Sequence, residues 1–210
     1  MSEYGYIPEA PEQSFGNNKG IFNPKDIYDL TRADKYTNYG QLELIETQTV
    51  SGVSAVDFTN LGNYNVHFLT INNYQPATDN TSMLIRLSDD SGSTYESSNY
   101  KWAYLQMYAP TEVFEYRSTS ATSLEINREN GTGTNENGNA YIYFYSLEDS
   151  TKNSFTTSHS TQATKFSGQL AMQFNSGVYS VKSSINAFRL LSSSGNLSAT
   201  ASLYGIAESK

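Results

Sequence analysis

Cysteine is absent from this chain of 210 residues. Its absence removes disulfides, thiolate nucleophiles and every metal site built on sulfur. Histidine occurs only as His67 and His159, which leaves little for a zinc centre or a histidine-dependent triad. Charged residues make up only 16% of the chain, and 21 acids against 13 bases give a formal net charge of −8. Phosphate binding needs clustered lysine and arginine, so no nucleic acid partner is expected. No apolar run approaches the ~20 residues that a membrane span requires, so no membrane span is expected. The opening Met1-Ser2-Glu3-Tyr4-Gly5 has neither the basic nor the apolar region of a signal peptide, which points to synthesis in a cytoplasm.

Ser, Thr and Asn occupy the space that charge leaves, with 29, 20 and 20 residues. Aromatics reach 13%, led by 17 Tyr. A neutral, aromatic chain of this kind lacks the signature of disorder, which is low hydrophobicity with high net charge. The length fits one domain with an appendage and is enough for a sizeable core. Together these subtractions favour a protein that is not an enzyme, with no cofactor and no metal.

The first 40 residues differ from the rest. Three of the five prolines lie there, Pro8, Pro11 and Pro24, with Gly5, Gly16 and Gly20. Residues 1–22 show neither strand nor helix periodicity and read as an extended arm. At ~3.3 Å per residue such an arm could reach ~70 Å. A short helix follows. Asn23 can cap it, Pro24 suits its first position, and Asp26 favours its positive end. Ile27 and Leu30 share one face, and the helix should fade near Tyr36–Gly40. The expected division is 1–40 as arm and short helix, and 41–210 as a β-sandwich domain.

From Gln41 onward the pattern is strand after strand. Val66, Phe68 and Thr70 alternate, as do Met83, Ile85 and Leu87. Trp102, Tyr104 and Tyr108 share a face. Tyr141, Tyr143 and Tyr145 stand on one side of a strand, with Ile142 and Phe144 on the other. Lys165–Asn175 places Phe166, Leu170, Met172 and Phe174 in period-2 register. Ile185–Leu191 and Ser198–Ile206 close the chain. Alternation with β-branched and aromatic enrichment, broken by Asn-Gly and Ser-Gly turns, defines an all-β fold. About ten strands predict a two-sheet antiparallel sandwich, jelly-roll-like, behind the arm and its one short helix.

Few residues carry chemistry. Asp89-Asp90 and Glu148-Asp149 are carboxylate pairs, but neighbours in sequence do not place two acids across a cleft, and turn acids are the simpler reading. Ser88–Ser93 lacks the alternation of a calcium loop. His67 points opposite to Val66 and Phe68, as a surface or hydrogen-bonded sheet histidine would. His159 lies in a hydroxyl-rich segment readable as polar strand or loop. No nucleophile signature accompanies either. The tyrosines are the clearest hint. Tyr offers rigid contact area with a polar tip, suited to sandwich core, to protein interfaces, or to stacking sugar rings.

Three stretches carry a family resemblance. Leu44-Ile45-Glu46-Thr47-Gln48-Thr49-Val50 with Val56-Asp57-Phe58 is the first. Pro76-Ala77-Thr78-Asp79-Asn80 with Leu84-Ile85-Arg86-Leu87-Ser88-Asp89-Asp90-Ser91-Gly92-Ser93-Thr94-Tyr95 is the second. Ile185-Asn186-Ala187-Phe188-Arg189-Leu190 with Ser193-Ser194-Gly195-Asn196 and Leu203-Tyr204-Gly205-Ile206 is the third. Over residues 41–206 they resemble a β-sandwich module of virion structural proteins in tailed bacteriophages. Gly20-Ile21-Phe22 and Asp26-Ile27-Tyr28 are similar to its lead-in. The resemblance implies a virion-surface component, made in the host cytoplasm, without a catalytic motif.

Two roles follow from it. In the first, the chain is a capsid decoration or cement protein, anchored to the major capsid protein or tail proteins by Tyr4, Tyr6, Ile7, Ile21, Phe22, Ile27 and Leu30. Apolar side chains on an exposed arm call for a partner. In the second, it is a tail fibre or receptor-binding protein. There Tyr95, Tyr100, Tyr141 and Tyr143 or the loops Asp89–Tyr95 and Arg128–Gly138 touch host surface glycans. A glycan-cleaving depolymerase is a third, weaker alternative. Virion symmetry makes a homo-oligomer the expectation in the first two cases.

Overall fold

The structure, a computed structural model, describes residues 24–33, 41–109, 112–166 and 169–207. One unit holds helix α1 and another holds every strand, and each is described by itself. α1 spans Pro24–Arg32, with Asp26 in its first turn and Arg32 in its last, as the helix dipole favours. Lys25 and Asp29 pair at 2.6 Å across one turn. No residue of α1 is buried.

The second unit is an antiparallel two-sheet sandwich. Its strands are β1 (Leu42–Val53), β2 (Ala55–Phe58), β3 (Val66–Pro76), β4 (Thr81–Ser88), β5 (Tyr100–Tyr108) and β6 (Glu112–Ala121). They continue as β7 (Leu124–Asn130), β8 (Gly138–Tyr145), β9 (Ser154–Ala163), β10 (Leu170–Tyr179), β11 (Ala187–Ser192) and β12 (Leu197–Ile206). Eight strands form one sheet in the order β1-β12-β3-β8-β9-β10-β5-β6, and four form the other in the order β2-β11-β4-β7.

The core lies between the sheets and follows the alternation of the sequence. Leu69 and Ile71 of β3, Ile142 and Phe144 of β8, and Leu203 of β12 meet Val56, Phe58, Met83, Ile85, Leu87, Phe188 and Leu190 of the smaller sheet. Period 2 makes this possible, since every second side chain of a strand faces one way. In β3 the register slips between Ile71 and Tyr74. Asn73 takes a positive φ of 54° there, a conformation asparagine tolerates well, and Tyr74 is turned back into the core.

Strands β9 and β10 break the usual pattern. Between the inward Ala171 and Tyr179 of β10, and along β9, their inward side chains are polar: Thr156, Ser158, Ser160 and Gln162 on β9, Gln173 and Asn175 on β10. The reason is β7, the edge strand of the smaller sheet, which lies over them and presents backbone groups with no neighbouring strand to pair with. Asn175 Nδ2 donates to the carbonyls of Glu125 (2.9 Å) and Ile126 (2.6 Å). Ser160 Oγ also donates to Ile126 O, and Gln162 Nε2 to Arg128 O. Gln173, in the amide orientation that satisfies both its groups, donates to Ile126 O and accepts from Arg128 N. Buried backbone groups need such partners, so side chains of one sheet cap the edge of the other. Gly177 permits the close approach, because a Cβ there would lie 2.6 Å from Leu124 Cδ2.

One strand of the structure, β6, was not expected from the sequence, and the hydroxyl-rich segment readable as polar strand or loop is strand β9. The expected strand Lys165–Asn175 is also shifted. Thr164 N donates to Gln169 O, and the strand is Leu170–Tyr179.

His67 is buried and inward-facing. Its Nε2 lies 2.8 Å from Leu61 O, and the Tyr64 ring meets it edge-on. Burial lowers its pKa from the ordinary 6.5. The unfolded chain therefore takes up a proton at a higher pH than the folded one, and stability is lost as pH falls below about 6.5. Burial raises the carboxyl pKa of Glu125, a shift of the opposite sign that favours the fold as pH falls. The urea midpoint should decline between pH 7 and pH 5, and His67→Gln should remove that decline (pH range set by the histidine pKa of about 6.5). An unchanged slope in the variant would assign the pH dependence elsewhere.

Candidate functional site

The inversion of β9 and β10 has a second face. Their outward side chains carry most of the apolar and ring groups, Phe155 and His159 on β9 and Leu170, Met172, Phe174 and Val178 on β10, with Thr157, Thr161 and Ser176 among them. An antiparallel sheet with one face on a core normally turns its polar residues outward. Here Phe155 is 51% exposed and Phe174 48%. Neighbouring strands extend the patch with Tyr141 and Tyr143 of β8, Leu105 and Met107 of β5, and Val113 of β6.

Strand register sets the order across this face. One row runs Thr70, Tyr141, His159, Phe174, Leu105, Glu115. The next runs Phe68, Tyr143, Thr157, Ser176, Ala103, Arg117. Rings on neighbouring strands touch along each row. Phe68 and Tyr143 lie 4.7 Å apart, Tyr141 meets His159 edge-on at 5.6 Å, and His159 stacks flat on Phe174 at 4.3 Å. Such cross-strand aromatic contacts stiffen the sheet and make the face a rigid platform. His159 Nε2 is buried there without a hydrogen-bond partner. A shallow pocket of about 300 Å³ opens between Phe174, Leu105, Ala103, Glu115 and Arg117.

The four tyrosines expected to touch glycans separate into three places. Tyr141 and Tyr143 stand on this face, Tyr141 42% exposed. Tyr100 does not reach the surface, which corrects the expectation for it. Its side chain is fully buried, its hydroxyl accepts from Leu87 N at 2.8 Å, and it packs on Tyr179. Alternation could not separate this residue from its neighbours, because it is enclosed by Leu87 of β4 and Tyr179 of β10, which only the fold brings to it. Tyr95 lies against the smaller sheet, with the Arg189 guanidinium 4.0 Å above its ring. Arg189 makes a two-bond fork with Asp57, each bond 2.7 Å. Burial first, and then Asp57, push the Tyr95 hydroxyl up to about 12.

On α1, Ile27 is 38% exposed and Leu30 half-buried. Tyr4, Tyr6, Ile7, Ile21 and Phe22 lie outside the described residues.

In each of the sequence's carboxylate pairs one acid holds its own loop together, while burial raises the pKa of Glu148. Asp90 accepts from Thr94 N (2.9 Å), Thr94 Oγ1 (2.7 Å) and Ser88 Oγ (2.8 Å). These bonds, the Thr94 amide first, bring its carboxyl down to about 2. Asp149 is held below the usual carboxylate range by Lys152 and Thr151. A carboxylate so stabilised is a poor general acid.

A third cluster, unforeseen from the sequence, stands beside β7. Tyr108 bonds Glu129, Gln106 donates to both, and Arg128 lies 4.3 Å over the Tyr116 ring with Glu125 at 3.8 Å. Lys165 approaches Glu129 at 3.9 Å, so two acids face two bases. These groups largely satisfy one another. Among the described residues no group of three or more His, Asp or Glu is placed to hold a metal ion, and no helix is long and apolar enough to cross a membrane.

The platform was missed because sequence periodicity separates the two faces of a strand without saying which is inside. Leu170, Met172 and Phe174 are legible as one face, but so are Gln173 and Asn175 as the other. No protein-family model matches the chain, and neither curated proteins nor solved structures give a match.

Proposed function

We propose that this chain is a non-enzymatic structural protein of a bacteriophage virion, a capsid decoration or cement protein anchored at the particle surface by residues 1–40. The observation that carries the reading is the exposed apolar face of the eight-stranded sheet. A patch this continuous marks a surface made to be covered. The commitment of Asp90 and Asp149 to their own loops supports a body that works by contact. The resemblance over residues 41–206 supplies the setting. Many weak contacts repeated over a symmetric shell then add up to firm attachment.

A second reading, a fibre or receptor-binding protein touching host glycans, is favoured by Tyr141 and Tyr143 on an open, rigid face. Copy number separates the two. In a decoration protein it is comparable to that of the major shell protein, and in a fibre it is a small fraction of it. Stained gels of purified particles measure this directly.

Anchoring has its own test. Deleting residues 1–22 should abolish binding to particles while leaving the cooperative urea transition of the sandwich unchanged. Full binding by the truncated chain would show that the arm is not the anchor.

A further inference from the structure

We infer that the outer face of the eight-stranded sheet is closed by the same face of a second copy of this chain, two sandwiches packing sheet against sheet. The inference deepens the assembly reading above and rests on it only in taking the apolar face for an interface. Three observations select a second copy as the occupant.

Size is the first. Strands β8, β9, β10, β5 and β6, five at about 4.8 Å and some nine residues long at about 3.4 Å each, make a face on the order of 700 Å². A specific, stable interface takes about 800 Å² from each partner.

Charge is the second. The whole chain carries −8, which opposes self-association in general. Across these five strands the outward charges are Lys101, Glu115 and Arg117. The face is therefore close to neutral and does not repel its own copy. A strongly basic or acidic partner would find only three charges here, of both signs.

Self-complementarity is the third. A two-fold axis along β10 through Phe174 lays β10 on its counterpart, β9 over β5, and β8 over β6. Because Tyr141 and Glu115 share a row, as do Tyr143 and Arg117, the axis brings each into register with the other's copy. A phenol hydroxyl then meets a carboxylate, and a guanidinium meets a ring face. His159 comes over Leu105, and Phe174 over its own copy. Neither Glu115 nor Arg117 has an ion-pair partner among the described residues. Aligned sheets pack about 10 Å apart with such side chains interleaved.

The test is sedimentation equilibrium of the full chain at about 50 µM, well above the micromolar limit of interfaces this size. The expected species has twice the 23.3 kDa mass of the chain. Phe174→Glu and, separately, Leu105→Lys should weaken the dimer by at least about 30-fold, as loss of a central contact does. Both side chains are outward, so far-UV circular dichroism should stay as in the unaltered protein and the urea transition should remain cooperative, lowered by the lost association. Phe166→Ser, exposed but in the β9–β10 turn, should leave the dimer intact.

Should a variant misfold, hydroxyl-radical footprinting of the unaltered chain replaces it. Tyr141 and Phe174 should then be protected at high concentration and reactive on dilution. A monomer at high concentration, or a dimer untouched by Phe174→Glu, overturns the inference. A monomer whose face is shielded only on particles overturns the second copy and supports the virion reading. A dimer that never associates with particles supports the inference and overturns the virion reading.

Discussion

Replacing Phe188 by alanine is expected to lower the unfolding free energy by about 3–5 kcal/mol, the range for removing a large ring from a packed core. Phe188 is fully buried. It stacks on Phe58 at 5.0 Å and on Phe144 at 5.0 Å. Phe58 is its register partner within the four-stranded sheet, whereas Phe144 belongs to β8 of the larger one. The ring thus joins the sheets, and its loss opens a cavity lined by two rings that cannot both collapse into it. A domain stable by about 5–15 kcal/mol loses a large share of that margin. Urea denaturation followed by tyrosine fluorescence measures the change. Phe114→Ala supplies the comparison, because Phe114 is 38% exposed and removing it leaves no closed cavity. A loss for Phe188→Ala no larger than for Phe114→Ala would mean that the sheets do not meet where the structure places them.

The second large effect runs against hydrophobic intuition. The double substitution Gln173→Leu with Asn175→Leu puts two apolar residues into an interior, yet it should destabilise the fold by about 4 kcal/mol, since a buried group left without its partner costs about 1–3 kcal/mol. Asn175 serves the carbonyls of Glu125 and Ile126, and Gln173 serves Ile126 O and Arg128 N. Leucine can serve none of them. Ser160→Ala gives the contrast: Ile126 O keeps its bond from Asn175, so the loss should stay under about 1 kcal/mol. Thermal or urea unfolding of the three proteins separates the cases. A double variant as stable as the parent would show that β7 finds its partners in water.

Much of the architecture was open to reading without coordinates. The alternation of Met83, Ile85 and Leu87, or of Ile142 and Phe144 against Tyr141, Tyr143 and Tyr145, is a local property of a strand half-buried on one side. Those residues take the faces their spacing requires. β9 stayed open between strand and loop because Ser154–Ala163 is polar on one face and mixed on the other, so neither periodicity nor apolar content marks it. β6 escaped because it lies at the end of the larger sheet, with Glu112, Glu115 and Arg117 exposed among its aromatics. Of the residues expected to bind, Tyr141 and Tyr143 stand where a partner could reach them. Tyr100 does not, because burial is decided by residues far away in the chain.

By itself, then, the sequence determined the class of fold, the positions of most strands and the turns between them. These are short-range matters: spacing along one strand, backbone freedom at Asn and Gly, and the types of side chain present. Only the tertiary structure decided which face of β9 and β10 turns inward. A strand's two faces are equivalent until something packs on one of them. Here the bare edge of β7, arriving from the other sheet, called for hydrogen-bond donors, and the polar face answered. The face that carries Phe155 and Phe174 was left outside.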